Sequence, residues 1–271
     1  IKNLTTEIIH GEDVENKGFE IIIKKGSILD LKLEGSKVNL IRQEGEIKIK
    51  SLLQTNGKLD FNQIQKLSSL FGFQNIAFKD FKADLNLKTN INFNIDKRLK
   101  IKNLSYSVNG KLPNLEILTE DKRIIKKYLP EYDSKIIFKD TNIKFTNSKS
   151  DQILELEGLL KSNGKFDSFK INEKYNYIKK KFYINGNINL TNSKVKIAKL
   201  NYSKNYGKKS ELNFDVNFVL NKYYNIKNLL FLEGKTKIYL TGLRLNEKFE
   251  TDDFKKIEIK TFLDEIKNND F

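Results

Sequence analysis

The sequence predicts a mainly β fold, in which long antiparallel strands form a curved, open β-groove with two short helices. Three observations support this prediction: apolar and polar residues alternate with period two, glycine and Asn-Gly punctuate the alternating runs, and only two segments have helical spacing. We expect one continuous β-groove segment over residues 1–271 of a longer polypeptide, which could divide into two repeat units of about 1–110 and 111–271.

The longest alternating run lies between Phe81 and Ile95. Its odd positions are Phe81, Ala83, Leu85, Leu87, Thr89, Ile91, Phe93 and Ile95, and the even positions carry lysine, aspartate and asparagine. Successive side chains of a strand point to opposite faces, so the run predicts a strand with one apolar face. At about 3.3 Å per residue, such a strand would be roughly 50 Å long.

Shorter alternating runs follow the same pattern. Leu212 to Leu220 alternate with asparagine and aspartate, Phe182 to Leu190 continue through Asn192-Ser193 to Val195 and Ile197, and Leu29, Leu31 and Leu33 alternate with charged residues. We expect turns at glycines such as Gly35, Gly45, Gly158, Gly234 and Gly242 and at the pairs Asn56-Gly57, Asn109-Gly110 and Asn163-Gly164. Most connections are too short for helical crossovers, which predicts an antiparallel meander.

Two segments have helical spacing. The first follows Asp60, carries Phe61, Ile64, Leu67, Leu70 and Phe71, and is expected to end at Gly72. The second is predicted to begin with a Thr119 cap and to run through Leu129 to Pro130. Either helix could pack on the apolar face of the sheet or close an open end of it.

Two similar ten-residue segments suggest an internal repeat. Residues 51–60, SLLQTNGKLD, align with residues 158–167, GLLKSNGKFD, at an offset of about 107 residues. Such spacing favours a modular array in which each unit shields the ends of its neighbours.

The side chains needed for common chemistries are scarce. Cysteine is absent, and His10 is the only histidine, which excludes disulfides, thiol catalysis and histidine metal cages. The acidic pairs Glu12-Asp13, Glu120-Asp121 and Asp252-Asp253 suit helix caps or solvated turns. We therefore predict no enzyme, no cofactor and no metal.

The formal charge of +15 comes almost entirely from lysine. Only Arg42, Arg98, Arg123 and Arg244 are arginine, the residue that does most base and bidentate phosphate recognition. The lysines favour a solvated surface first and anionic lipid headgroups second, and we predict no nucleic-acid partner.

A long apolar face without a chemical cluster suggests a binding surface for something apolar. An acyl chain fits, because each methylene group removed from water contributes about 0.8 kcal/mol. The residues predicted to line this lipid groove are Phe81, Leu85, Leu87, Ile91, Phe93, Ile95, Ile184, Ile188, Leu190, Leu212, Phe214, Val216, Phe218 and Leu220.

The stretch from Phe182 to Lys208, FYINGNINLTNSKVKIAKLNYSKNYGK, resembles the AsmA-like bacterial envelope proteins, particularly the YhdP-type members. In that family a strand of the form Gly-x-hydrophobic-x-Leu-x-x-Ser/Ala precedes a second strand that ends in a polar, glycine-containing turn. The matching residues are Gly186, Ile188, Leu190 and Ser193, followed by the turn Tyr206-Gly207-Lys208; Leu212–Leu220, Gly234–Arg244 and the Thr251–Phe254 turn continue the pattern.

The resemblance, which extends to the TamB proteins, implies a repeating β-groove for bridge-like lipid transfer. It implies a periplasmic chain in a Gram-negative cell envelope, anchored to the inner membrane by a segment outside this sequence. It also implies phospholipid transport toward the outer membrane, with neighbouring repeats and both membranes as partners. The high lysine content departs from the family.

Two other interpretations remain open from the residues alone. The alternation also suits an outer-membrane β-barrel segment, although tryptophan is absent and helices intervene. It equally suits a structural or assembly scaffold with a closed β-sandwich or solenoid core. Whether the sheet is open along its length distinguishes these interpretations.

Overall fold

The computed structural model is mainly β, as the alternation predicts. It describes residues 2–11, 18–43, 45–71, 78–119, 123–132, 134–161, 164–263 and 266–271. Its strands are β1 (Lys2–Gly11), β2 (Gly18–Ile28), β3 (Leu31–Lys32), β4 (Ser36–Gln43), β5 (Glu46–Asp60), β6 (Phe78–Ile95), β7 (Ile101–Thr119), β8 (Lys135–Asn147), β9 (Asp151–Lys161), β10 (Asp167–Asn176), β11 (Lys181–Asn189), β12 (Val195–Ile197), β13 (Tyr202–Lys204), β14 (Ser210–Val219), β15 (Tyr223–Glu233), β16 (Thr236–Asn246), β17 (Thr251–Asp253), β18 (Lys256–Leu263) and β19 (Ile266–Asp270). Two short helices, α1 (Phe61–Phe71) and α2 (Arg123–Tyr128), and a 3₁₀ turn, Ala198–Leu200, complete the described part.

The chain divides into two compact units. The first unit contains Ile1–Ile76, Asp80–Leu115 and Asp140–Leu154, and the second contains Ala77–Lys79, Glu116–Lys139 and Glu155–Phe271. Strands β6 to β9 contribute residues to both units. The proposed repeat boundary near residue 110 stays a prediction.

Antiparallel pairing builds the sheet of the first unit. β1 pairs with β2, β4 pairs with both β2 and β5, and β5 pairs with β6. The two-residue strand β3 also joins β2 to β5 through Ile28↔Leu31 and Lys32↔Asn56. Strands β2, β3, β5 and β4 therefore form a closed circuit of pairings. In this circuit β3 and β4 lie one after the other between β2 and β5.

Helix α1 confirms the first predicted helix and has a reciprocal cap at its start. The Gln63 backbone N–H donates to Asp60 Oδ1 at 2.9 Å, and Gln63 Oε1 accepts from the Asp60 backbone N–H at 2.8 Å. This capping box satisfies two backbone donors that the first turn of a helix otherwise leaves open. Gly72, the predicted stop, lies outside the described residues.

The turns predicted at Gly158 and Gly242 are wrong, because these glycines lie within β9 and β16. Two of the predicted Asn-Gly turns are also wrong. Gly57 lies within β5 and Gly110 within β7, and each sits where a neighbouring strand approaches closely. A Cβ on Gly110 would lie 2.1 Å from the Asn86 carbonyl oxygen, and one on Gly57 would lie 3.0 Å from the Asp30 carbonyl oxygen. At both positions glycine serves close packing of backbones rather than chain reversal.

The second unit contains the predicted antiparallel meander. The order β10–β11–β14–β15–β16–β18–β19 follows the chain, and every described pairing in it is antiparallel. The chain leaves the sheet between β11 and β14, where β12 and β13 form a separate hairpin. The expected continuation of one strand from Phe182 to Ile197 is therefore wrong.

Three further local predictions need correction. Thr119 ends β7 instead of capping a helix, because its Oγ1 lies 2.6 Å from the Tyr132 hydroxyl oxygen and its backbone N–H donates to the Ser134 carbonyl. Helix α2 begins later, at Arg123, and ends at Tyr128. Leu29 lies in the turn between β2 and β3, so Leu29 to Leu33 do not form one strand.

The two similar ten-residue segments have different structures. Residues 51–60 lie entirely in β5, whereas in the second copy residues 158–161 end β9 and Asp167 begins β10. Gly164 takes a φ of +71° between them. The similarity of the two sequences therefore does not extend to their local conformation.

Candidate functional site

One side of the second unit's sheet carries a continuous set of apolar side chains, which we call the apolar face. Residues paired directly across antiparallel strands point to the same side, so the registers define rows across β10, β11, β14, β15, β16 and β18. The first row is Phe169, Ile188, Leu212, Phe231, Ile238 and Ile259; the second is Ile171, Gly186, Phe214, Leu229, Leu240 and Ile257; the third is Glu173, Ile184, Val216, Ile226 and Leu243; the fourth is Tyr175, Phe182, Phe218, Tyr224 and Leu245.

Gly186 is one of two exceptions in these rows, and a neighbouring ring covers it. A Cβ at Gly186 would lie 2.8 Å from Phe214 Cζ, so the Phe214 ring occupies the space that a larger residue would need. The gap in the second row is therefore filled by phenyl carbon, which keeps the face apolar.

The fourth row forms an aromatic ladder. Its ring centroids are separated by 4.4 Å between Tyr175 and Phe182, 4.9 Å between Phe182 and Phe218, and 5.5 Å between Phe218 and Tyr224. Tyr177 extends the ladder at one end and Phe249 at the other, with centroid distances of 5.1 Å and 4.6 Å. Aromatic contacts of this kind contribute about 0.5–1.5 kcal/mol each beyond their buried area.

At the opposite end of the strands, the first row is covered by residues 190–209, which we call the capping segment. Leu190, Val195 and Tyr202 of this segment pack with Phe231 and Ile238 in a buried cluster. Leu129, Ile197, Leu200 and Leu263 pack against the same cluster. The apolar face therefore has one closed end, while rows two to four remain partly exposed, with Ile257 exposed.

A buried lysine organises the capping segment. The Lys204 Nζ donates to the carbonyl oxygens of Ser193 at 2.7 Å, Asn205 at 3.0 Å and Thr191 at 3.3 Å. Burial lowers the pKa of Lys204, while the nearby charges of Asp167 and Glu233 oppose that shift. The ammonium group therefore links three backbone carbonyls of this segment, and the Thr191 carbonyl also accepts from the Gly207 backbone N–H at 2.9 Å.

Asp167 links the capping segment to the start of β10 through hydrogen bonds. Its carboxylate accepts from the Asn192 backbone N–H at 3.0 and 3.1 Å and from the Ser193 hydroxyl at 3.2 Å. Burial raises the pKa of this carboxyl, and the Asn192 and Ser193 hydrogen bonds act in the opposite direction. Burial also raises the pKa of Tyr202 far above its ordinary value, assisted by the hydrogen bond that its hydroxyl donates to Glu233 at 2.9 Å.

Glu173 is the second exception on the apolar face. It lies in the third row opposite Ile184, partly buried, and no hydrogen bond or ion pair reaches its carboxyl from the described residues. Burial raises the pKa of Glu173. A carboxylate here loses hydration without gaining a partner, which destabilises the folded chain.

We expect Glu173→Leu to raise the free energy of unfolding at pH 7 by about 1–2 kcal/mol. Because the folded pKa lies above the unfolded one, the protonated carboxyl favours folding below the unfolded pKa, and that contribution is lost as pH rises through the folded pKa. The gain should therefore be smaller near pH 4 than at pH 7 in urea unfolding. Glu247→Leu, in an exposed turn, is the control, and an equal gain there would contradict this explanation.

The fourteen residues predicted to line a groove fall in both units. In the second unit, Ile184, Ile188, Leu212, Phe214, Val216 and Phe218 lie on the apolar face, and Leu190 lies in the buried cluster beneath the capping segment. Leu220 lies apart from them, in the turn after β14, where 58% of its surface is exposed.

The six predicted residues of the first unit lie on one side of β6. Phe93 pairs with Ile49 and Ile95 with Ile47, whereas Ile91 faces Ser51, Leu87 faces Thr55 and Leu85 faces Gly57. Leu85 is buried and Phe81, Leu87, Ile91, Phe93 and Ile95 are partly buried. On the neighbouring strand β5, their side of the sheet therefore carries Ser51, Thr55 and Gly57 opposite three of them.

The capping segment is the part of this site that sequence reasoning missed. Its sequence combines alternating Val195 and Ile197 with lysines, which resembles one more exposed strand. A signal was present in the glycine-containing turn at Tyr206-Gly207 and in the long gap between two clear strands. The role of Lys204 depends on the carbonyls of Thr191 and Ser193, which precede it by 13 and 11 residues, and leaves no periodic pattern.

The remaining candidate catalytic or metal-binding residues do not form a cluster in the described part of the structure. Glu12, Asp13, Glu120 and Asp121 lie outside the described residues, and Asp252 pairs with Arg244 at 3.1 Å. Within the described ranges, no group of three or more His, Cys, Asp or Glu residues could hold a metal ion. No helix in the described parts is both long and apolar enough to cross a membrane.

Comparisons with known proteins identify no relative. No protein-family model, curated protein or solved structure matches this chain.

Proposed function

We propose that the apolar face binds phospholipid acyl chains and that the chain is a non-enzymatic, lipid-binding conduit segment. The observation that carries the proposal is the apolar face, whose four rows extend over five or six strands with Gly186 and Glu173 as the two exceptions. The curved, open β-groove predicted from the sequence is part of this proposal, because an acyl chain must enter the face from its side or its uncapped end.

The dimensions of the face suit a ligand of this kind. Rows two to four, which the capping segment leaves partly exposed, extend roughly 13 Å along a strand, and six strands extend roughly 24 Å across the sheet. Each methylene group that leaves water for this surface contributes about 0.8 kcal/mol, so ten of them give on the order of 8 kcal/mol before the costs of binding.

Apart from Glu173 and the hydroxyl groups of Tyr175 and Tyr224, the described part of the face carries no polar side-chain group that could select a headgroup. The face therefore suits acyl chains in general rather than one lipid. The headgroup would remain in water, as it can in an open groove.

The resemblance of Phe182–Lys208 to the AsmA-like proteins supports a cellular setting for this activity. On this proposal the chain lies in the periplasm, where it shields acyl chains between the inner and outer membranes. The membrane anchor and the neighbouring repeats would lie outside this sequence. These assignments depend on the resemblance and on the apolar face together.

The test compares two adjacent residues of β15 that point to opposite sides of the sheet. Leu229 belongs to the second row of the apolar face, whereas Asn228 lies on the other side, where its side-chain oxygen accepts from the Tyr239 hydroxyl at 3.3 Å. We expect wild-type protein, purified without detergent, to carry phospholipid that native mass spectrometry detects. Leu229→Glu should reduce the bound lipid at least about tenfold, because a buried carboxylate replaces apolar contacts.

Asn228→Glu should retain the lipid, because the new carboxylate remains in water and can still accept a hydrogen bond. Far-UV circular dichroism of both variants checks that the sheet is intact. Wild-type protein that is free of lipid, and that takes up no fluorescent fatty acid, would contradict the proposal and favour a structural scaffold. Equal lipid loss in both variants would also contradict it, because binding would then not depend on the apolar face.

A further inference from the structure

Three hairpin turns of the second unit lie at the same edge of its sheet. Residues 177–180 connect β10 to β11, residues 220–222 connect β14 to β15, and residues 247–250 connect β16 to β17. Because the strands are antiparallel and adjacent, alternate connections fall at one end of the sheet. We call these three turns the turn edge; it lies at the opposite end of the strands from the capping segment.

Each of these turns exposes a large apolar side chain. The exposed fraction is 81% for Ile178, 58% for Leu220 and 60% for Phe249. They are not isolated from one another, since the aromatic ladder that begins at Tyr177 ends at Phe249. The turn edge is therefore a line of exposed apolar groups supported by a continuous row of rings.

The charges beside these apolar groups are mostly positive. The turns contain four lysines against two glutamates: Lys179, Lys180, Lys222 and Lys248, with Glu247 and Glu250. Glu250 is held by the third turn itself, where its carboxylate accepts from the Asn246 side-chain amide at 2.9 Å. Lys181, which begins β11 next to the first turn, lies against the rings of Tyr183 and Tyr223.

We propose that the turn edge docks onto the surface of an anionic phospholipid bilayer. Exposed aliphatic and aromatic side chains on hairpin tips can enter the boundary between headgroups and acyl chains, while lysines remain at the negatively charged headgroups. Lysine suits a diffuse anionic surface, and the absence of arginine from these turns argues against bidentate recognition of one particular phosphate or carboxylate.

The arrangement fits a bilayer better than a protein partner. The apolar groups lie on three separate tips with lysines between them, whereas a protein interface usually has a continuous apolar centre that is depleted of lysine. This docking does not depend on lipid binding by the apolar face. Either activity can therefore fail while the other remains.

The test measures binding to vesicles by sedimentation. We expect wild-type protein to bind vesicles of phosphatidylglycerol and phosphatidylcholine more tightly than vesicles of phosphatidylcholine alone, with weaker binding as salt increases. Ile178→Asp should lower the partition coefficient on anionic vesicles at least about tenfold, because it removes an inserting side chain and adds a negative charge. The double variant Lys179→Gln, Lys180→Gln should lower it about twentyfold or more, at about fivefold for each lysine.

Ile266→Asp provides a matched control. Ile266 is 74% exposed and begins β19, at the end of the sheet away from the turn edge. The substitution makes the same chemical change on a similarly exposed isoleucine, so binding to anionic vesicles should stay within about twofold of wild type. Equal losses for Ile178→Asp and Ile266→Asp would overturn the proposal, because binding would then reflect overall charge.

A second readout uses the absence of cysteine from the chain. A fluorophore sensitive to polarity, attached to Ile178→Cys, should shift to shorter wavelength when anionic vesicles are added, and the same probe on Ile266→Cys should not. An unshifted probe on Ile178→Cys would overturn the proposal. So would wild-type protein that stays unbound by anionic vesicles and self-associates through this edge, which would assign the turns to a protein partner.

Discussion

Replacing Lys204 with alanine is expected to lower the free energy of unfolding by about 3–5 kcal/mol. Lys204 is 1% exposed, and its ammonium group donates to three backbone carbonyls of the capping segment. Alanine would remove the ammonium donor of the Ser193 and Asn205 carbonyls, whereas the Thr191 carbonyl would keep its bond from the Gly207 backbone N–H at 2.9 Å. The substitution would remove a positive charge that acts on the buried Asp167. It would also remove the aliphatic stem of the side chain, whose packing contributes separately.

Lys204→Met separates these contributions. Methionine keeps most of the apolar stem but supplies no donor, so its cost should fall between those of wild type and Lys204→Ala. Urea unfolding followed by far-UV circular dichroism gives the free energies. Lys196→Met is the control, because Lys196 lies on the same hairpin, opposite Ser203, but is exposed, and its replacement should cost less than about 0.5 kcal/mol.

The Lys204 substitutions should loosen the capping segment before they unfold the whole chain. The capping segment covers Phe231 and Ile238, so loosening it should expose the first row of the apolar face and increase the binding of a hydrophobic dye. Amide hydrogen exchange should accelerate over residues 190–209 more than over β14 and β15. Equal stability of Lys204→Met and Lys196→Met would show that the ammonium network contributes nothing to folding.

The alternation of apolar and polar residues was enough to predict strands β6 and β14. β6 extends from Phe78 to Ile95 and β14 from Ser210 to Val219, and both include almost all of the runs that predicted them. The pattern works because one face of each strand is buried while the other stays in water, and successive side chains point to opposite faces. The same rule placed six of the predicted residues on the apolar face.

The features that the sequence did not predict depend on residues far apart in the chain. Lys204 looks like any surface lysine in the sequence, and only the folded segment brings the carbonyls of Thr191 and Ser193 to its ammonium group. Leu220 fits the alternation but follows the last paired residue, Val219, so it belongs to a turn. Periodicity cannot mark where the pairing of a strand stops, because the partner strand determines it.

Gly110 was misinterpreted for a related reason. Asn-Gly favours a tight turn because glycine tolerates positive φ, but glycine also permits two backbones to approach where any Cβ would collide. Asn109-Gly110 serves the second purpose within the nineteen residues of β7. Local sequence cannot separate the two uses, since the backbone that approaches Gly110 belongs to β6.

Gly110→Ala is accordingly expected to lower the free energy of unfolding by about 3–5 kcal/mol. The added Cβ would lie 2.1 Å from the Asn86 carbonyl oxygen and 2.9 Å from Leu87 Cα. Both are backbone atoms in a paired strand, so no side-chain rotation relieves the collision, and β6 and β7 must separate locally.

Two other glycines complete a graded series. Gly110, Gly57 and Gly207 all have positive φ, at +158°, +151° and +82°, so the three alanine variants share backbone strain and differ in what the new Cβ would meet. Gly207 has a φ of +82° with nothing within 4 Å of an added Cβ, so Gly207→Ala should cost only the backbone strain of about 1–2 kcal/mol. At Gly57 the nearest backbone atom would lie at 3.0 Å, which places the cost of Gly57→Ala between the other two. Urea midpoints that decrease in the order Gly207→Ala, Gly57→Ala, Gly110→Ala would support close strand approach as the reason for glycine in β5 and β7. A Gly110→Ala protein as stable as Gly207→Ala would mean that the two strands can separate there at little cost, and the Asn-Gly pair would then need another explanation.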